Sequence, residues 1–152
     1  MNKPSTFRET RPVSWQDVHR DSLALAGKLA TEGPWHTIAA ITRGGMTPAQ
    51  ILAIELGIRH VETIGIASYE GRDQGPPRIL KACEGSGEGW LVVDDIVDTG
   101  ATAEIVRTML PEACLVAIYV KPDGEPLVDH YVTEIPQDVW IEFPWNQPAT
   151  KG

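Results

Sequence analysis

The residues of this chain best suited to chemistry are the adjacent acids Asp94 and Asp95, which follow the apolar run WLVV (90–93), and Asp98 ahead of Thr99, Gly100, Ala101 and Thr102. Two neighbouring carboxylates can accept hydrogen bonds from the vicinal hydroxyls of a ribose and help to hold a hydrated Mg2+, which prefers oxygen ligands. The Thr-Gly-Ala-Thr run offers hydroxyls and free N–H groups where a helix opens, an arrangement that holds a terminal phosphate. Taken alone, Asp98 reads better as a capping partner of that helix. Capping does not explain a further pair of acids at the end of a buried strand.

A second group is Thr42-Arg43-Gly44-Gly45-Met46-Thr47-Pro48. Paired glycines let backbone approach a charged ligand closely, and Arg43 can place guanidinium charge on a leaving diphosphate. An ordinary Gly-Gly turn is the plainer reading, but the motif follows an apolar strand, and in parallel sheets ligands bind at the loops leaving the C-terminal ends of strands. His19, His36, His60 and His130 show no metal-ligand spacing, and neither a GxSxG nor a Walker A pattern occurs.

These residues need a scaffold, and the hydrophobic pattern supplies one. Residues 1–11 are charged and read as a mobile arm, after which Ser14 and Asp17 mark an N-cap and an acidic first turn. Trp15, Val18, Leu25 and Leu29 then fall near one helix face, ended by Gly33-Pro34. TIAAI (37–41) reads as a buried strand, Thr47-Pro48 as the start of a helix that runs to Leu56, and 61–68 as the next strand. The loop YEGRDQGPP (69–77) suits a lid. A short strand over 78–84, a buried strand over 90–93, a helix over 102–110 and the β-branched strand CLVAIYV (114–120) follow. Strands alternating with helices predict an α/β domain with a parallel sheet and right-handed crossovers.

The chain has 152 residues and a formal net charge of −8. That length predicts a single domain, 1–152, with a second mobile stretch over 146–152. The negative charge disfavours nucleic acid as a partner, since phosphate neutralisation requires clustered Lys and Arg, but leaves room for a small anionic substrate held by N–H groups and a metal. No apolar run is long enough to span a membrane and no export signal is visible, so a cytoplasmic location is expected. Cys83 and Cys114, scattered in a reducing compartment, read as inert thiols.

The string DDIVDTGAT (94–102) resembles the signature with which type I phosphoribosyltransferases bind phosphoribosyl pyrophosphate (PRPP). The resemblance implies that Asp94 and Asp95 bind the ribose hydroxyls, with Asp95 also a metal ligand. It places Asp98 near the purine as the catalytic residue, and has Ile96, Val97, Thr99, Gly100, Ala101 and Thr102 complete the PRPP site. Ala101 stands where many members have a second glycine, so that position does not require a glycine-only backbone angle. Arg43 and Gly44 match the family's pyrophosphate loop, where a strained or cis peptide would be a feature of function.

Between Trp15 and about Trp145 the order of SRGG-like, ELGIRHV-type, DDxVDTG, KPxGxPLVD and IPQDxWIExPW elements resembles the bacterial xanthine-guanine phosphoribosyltransferases. That subgroup implies a central, mainly parallel sheet flanked by helices, with a small hood region. Its substrates would be PRPP and a 6-oxopurine, its cofactor Mg2+, its assembly a homo-oligomeric dimer or tetramer, and its location cytoplasmic with peripheral association with the inner membrane. Lys121 would contact the purine 6-oxo group, Trp140 would cover the ring, and the Ile141 backbone would bind its 2-substituent. The subgroup's lid arginine aligns with Gly75, leaving Arg72 or Arg78 as substitutes, and the tail after Trp145 is shorter than usual. Two rivals share these features: a hypoxanthine-preferring enzyme, and a PRPP-sensing regulator that would usually need an added nucleic-acid-binding surface.

Overall fold

The computed structural model describes residues 6–67 and 76–146. Strand β1 (Glu9–Pro12) leads into helix α1 (Trp15–Leu29), then β2 (Thr37–Thr42), α2 (Met46–Leu56), β3 (His60–Ala67), β4 (Arg78–Lys81), β5 (Trp90–Val97), α3 (Ala101–Met109), β6 (Cys114–Val120), β7 (His130–Glu134) and β8 (Val139–Glu142). Six strands form the main sheet in the order β4-β3-β2-β5-β6-β7, parallel except for the antiparallel edge strand β4. Strands β1 and β8 form a separate parallel pair. This small second sheet is the counterpart of the expected hood.

Local chemistry explains the helix boundaries. The Ser14 side chain accepts from the Asp17 N–H at 3.0 Å and the Asp17 carboxylate accepts from the Ser14 N–H at 2.9 Å, a reciprocal cap that starts α1. Those bonds hold the Asp17 carboxyl below its usual range. Val18, Leu25 and Leu29 face the core, but Trp15 is 56% exposed and stacks edge-on against Trp145. Helix α2 starts at Met46 with Gly45 as its cap, so Thr47 and Pro48 lie inside the first turn, two positions later in the helix than the Thr-Pro pattern predicts. It ends at Gly57 as expected.

The expected N-terminal arm is corrected over residues 6–11. Backbone pairing with β8, and the Arg8 N–H donating to the Asp138 carbonyl at 2.9 Å, dock this segment although its side chains, Phe7 apart, are polar. Residues 1–5 and 147–152 lie outside the described residues. Asn146, placed in the mobile tail by sequence, belongs to a short 3-10 turn, Pro144–Asn146.

The core has apolar side chains on both faces of the sheet. Leu25, Leu29 and Leu52 pack with Ile38, Leu91 and Val116 on one face, and Val106 and Leu110 with Ile64, Val92 and Leu115 on the other. A third cluster, with Val13, Val18, Ile118, Val139 and Phe143, joins the small sheet to the large one. Cys83 is buried and Cys114 half-buried, and burial pushes the Cys114 thiol up to about 12, which keeps it an unreactive thiol.

One polar contact crosses this packing. The Tyr119 hydroxyl on β6 donates to the buried Asp21 carboxylate on α1 at 2.6 Å. Burial, and then Asp21 itself, push the Tyr119 phenol well above its ordinary value. Tyr119→Phe keeps the ring that stacks on Phe143 but removes the donor. A loss of about 2 kcal/mol in urea unfolding is expected, with catalytic constants unchanged, because a buried carboxylate loses a charged hydrogen bond.

Candidate active site

Parallel pairing of β2, β5 and β6 brings the residues singled out by sequence to one edge of the sheet. Strand β2 ends at Thr42, β5 at Val97 and β6 at Val120, so Arg43-Gly44-Gly45, Asp94 to Thr102 and Lys121 all emerge there. The acids do not follow the strand, as the apolar run suggested. They lie within β5, because β6 keeps offering ladder partners: Asp94 pairs with Ala117 and Ile96 with Tyr119.

Alternation along β5 gives the two acids different surroundings: Asp94 is half-buried, whereas Asp95 is 9% exposed. The Asp95 N–H donates to Asp94 Oδ1 at 2.8 Å and the Ile96 N–H to Asp95 Oδ1 at 2.7 Å. Burial raises the Asp95 carboxyl above its usual range, partly offset by those neighbours. The glycine loop closes over this acid. A side chain at Gly44 would run into the Asp95 carboxylate, and one at Gly45 into the Val93 and Ile41 carbonyls. Gly44-Gly45 is therefore a demand of close approach between β2 and β5, and it locks the Arg43 loop to the acid pair. The Thr42–Arg43 peptide is cis, and Arg43 is exposed.

Helix α3 opens at Gly100, whose φ of 93° is a left-handed angle that an L side chain resists, and no side chain caps it. Thr99 and Ala101 are exposed and Thr102 half-buried, with the Ala101 N–H donating to Thr99 Oγ1 at 3.4 Å. The first-turn N–H groups thus face an exposed cradle suited to an anion. Ala101 does not have a positive φ.

Asp98, between acid pair and cradle, is gripped from the opposite side. Lys121 is 1% exposed, and its ammonium donates to Asp98 Oδ2 at 3.1 Å. Gln137 Nε2 donates to Asp98 Oδ1 at 2.6 Å. Trp140 and Ile141 are buried on β8. Phe7 covers this end, with its ring 5.2 Å from that of Trp140 and 4.6 Å from the Lys121 ammonium. Phe7 and Gln137 were missed by sequence reasoning. The first sat in a supposed arm, and the second is a loop amide inside the IPQD string whose role appears only when the loop meets Asp98. Arg78 is exposed at the start of β4; Arg72 and most of the expected lid lie outside the described residues.

This edge offers adjacent carboxylates, an uncapped helix N-terminus and a glycine loop bearing arginine, beside an aromatic-covered lysine and acid. Such a set of groups has the chemistry to hold a phosphorylated sugar next to a flat polar ring. Residues 14–150 match the phosphoribosyl transferase domain. The chain is 50% identical over 147 residues to a xanthine-guanine phosphoribosyltransferase of Nitratidesulfovibrio vulgaris, covering 96% of this chain and 90% of that one. It is 54% identical over 140 residues to the enzyme of that name from Chromohalobacter salexigens, covering 92% and 86%. A crystal structure of a purine phosphoribosyltransferase from Pyrococcus horikoshii superposes with a TM-score of 0.77 at 30% identity, covering 94% of this chain and 99% of that one. On its own residues and on these likenesses, the chain belongs to the phosphoribosyltransferase family, among the xanthine-guanine phosphoribosyltransferases.

Proposed function

We propose that this protein transfers the 5-phosphoribosyl group of PRPP to guanine and xanthine, and more weakly to hypoxanthine, yielding the nucleoside 5′-monophosphate and pyrophosphate. The observation that carries the reading is the Asp98–Lys121 pair, held 3.1 Å apart at the same sheet edge as the acids of the sugar site. Relatives about half identical over nearly the whole chain, named for xanthine and guanine, support the choice of base.

In this reading Asp94 and Asp95 orient the ribose hydroxyls and the α3 N-terminus, with Thr99 and Thr102, holds the 5-phosphate. Purine N9 attacks the anomeric carbon as the bond to pyrophosphate breaks, and Asp98 accepts the proton on the N7–H side. Arg43 and the Gly44 backbone face the departing diphosphate. Lys121 donates to the 6-oxo oxygen, Trp140 covers the ring and the Ile141 backbone meets the 2-substituent. Mg2+ suits the all-oxygen donors of Asp94 and Asp95, because it is commonly held by one or two carboxylates together with substrate oxygens and water. When bound, it neutralises charge on the leaving diphosphate. The 69–77 loop, with Arg72 or Arg78 reaching the diphosphate, is the lid of this reading, excluding the water that would hydrolyse the activated sugar.

A cytoplasmic homo-oligomer, dimer or tetramer, is part of the same proposal. No helix among the described residues is long and apolar enough to cross a membrane. Met46, Ile54, Val61 and Leu80 are exposed along α2, β3 and β4, beside a cavity of about 710 Å3 lined by α2 and β3, a surface suited to a second copy.

Steady-state turnover of guanine, xanthine, hypoxanthine and adenine with PRPP and Mg2+ tests the function. The first three should release pyrophosphate and adenine should not. Adenine turnover matching that of guanine would overturn the base assignment, and PRPP binding without turnover of any purine would favour the regulator.

A further inference from the structure

Gln137 lies in the turn between β7 and β8, half-buried, and each polar group of its side chain is committed. Nε2 donates to Asp98 Oδ1 at 2.6 Å, and Oε1 accepts the Asp123 N–H at 3.0 Å. The Asp123 N–H decides the orientation of the amide: oxygen must face that donor, so nitrogen must face the carboxylate. The Gln137 carbonyl also accepts from the Lys121 ammonium, at 3.5 Å. One residue therefore contacts the acid, the lysine and the loop after β6 together.

We propose that Gln137 is a positioning residue for purine transfer, fixing the Asp98 carboxylate so that one oxygen faces Lys121 and a free lone pair faces the base; this rests on the function proposed above. Lys121 alone cannot do this, because a single donor on Oδ2 leaves the carboxylate free to rotate about its Cβ–Cγ bond. The second donor on Oδ1 fixes the carboxylate plane. Since Oε1 is tied to the backbone of the loop after β6, the amide is itself held, and the orientation of Asp98 is referred to the rigid sheet edge. A displacement of about 1 Å in such a group can cost on the order of a hundredfold in rate.

The test is a double-mutant cycle with guanine and PRPP. Gln137→Met, similar in length but without donor or acceptor, should lower kcat/KM for guanine at least roughly tenfold while leaving the KM for PRPP within about twofold and the unfolding transition nearly unmoved. In an Asp98→Ala background the same substitution should cost less than about twofold, because Gln137 then has no carboxylate to hold. Affinity for the nucleoside monophosphate product, measured by calorimetry, follows the same cycle where turnover of the Asp98→Ala protein is too slow. Equal losses in both backgrounds would show a role merely structural and overturn the inference, as would wild-type turnover in Gln137→Met. Absence of turnover in the wild-type protein would instead overturn the function on which it rests.

Discussion

Lys121→Met is expected to lower kcat/KM for guanine by roughly a hundredfold, about 2.7 kcal/mol of transition-state binding, with little change in PRPP affinity. The ammonium is almost wholly buried, pairs with Asp98 at 3.1 Å and lies 4.6 Å below the Phe7 ring. An ammonium donates hydrogen bonds and accepts none. It satisfies a 6-oxo oxygen, whereas the 6-amino group of adenine would set donor against donor in a desolvated pocket, a mismatch that polar sites reject by about 10⁴-fold or more. Methionine matches the stem of lysine but removes both the donor to the base and one of the two donors that hold Asp98. Measurement of kcat/KM for guanine, xanthine, hypoxanthine and adenine in both proteins checks this. Undiminished guanine turnover in the mutant would remove Lys121 from the base site.

Asp95→Asn should act in opposite directions on stability and on substrate binding. Burial raises the folded-state carboxyl above its unfolded value, so its contribution favours the fold where it is protonated and is lost as pH rises through the folded value. At neutral pH, where the carboxyl of the unfolded chain is ionised, burying Asp95 therefore weakens the empty protein, and asparagine relieves that cost. Thermal unfolding of Asp95→Asn should rise relative to wild type at pH 7, and the difference should shrink at low pH, where both side chains are neutral. PRPP affinity in the presence of Mg2+ should fall about tenfold or more, since the charge proposed to meet the ribose hydroxyls and the cation is gone. Calorimetry of PRPP binding alongside a pH series of melting curves decides it; wild-type PRPP affinity in a folded mutant would take Asp95 out of the sugar site.

The sequence was most legible where local pattern and tertiary role coincide. Strand β6 runs from Cys114 to Val120 as its β-branched composition predicts, and Ser14 caps α1 through the expected acid at Asp17. The parallel sheet follows from alternation alone, and gathering Arg43, Asp94 and Lys121 at one edge follows from the parallel sheet. Strands β1, β7 and β8 were not legible. Glu9-Thr10-Arg11-Pro12 carries no apolar residue, and forms a strand only because β8 offers it a ladder. The extension of β5 through Asp94 and Asp95 was hidden for a related reason, since acids end an apolar pattern while the hydrogen bonds of β6 carry on. Within the site, residue types marked Asp98 and Lys121, but their pairing and the Gln137 clamp depend on where a turn between two unrecognised strands comes to rest.

The pairing of β1 with β8 also sets an order in time. Arg8 and Asp138, which join the two at their start, are 130 positions apart, whereas β2, β3, β5 and β6 find their neighbours over much shorter stretches of chain. Closing so long a loop costs more entropy, and it is offset only once the main sheet exists to receive the small one. During synthesis, the Arg43 loop, the Asp94–Asp95 pair and the α3 N-terminus can all be in place while Trp140 and Ile141 are still inside the ribosome. The edge proposed to hold the sugar phosphate is thus the older part of each newly made molecule, and the wall proposed to meet the base is added to it last.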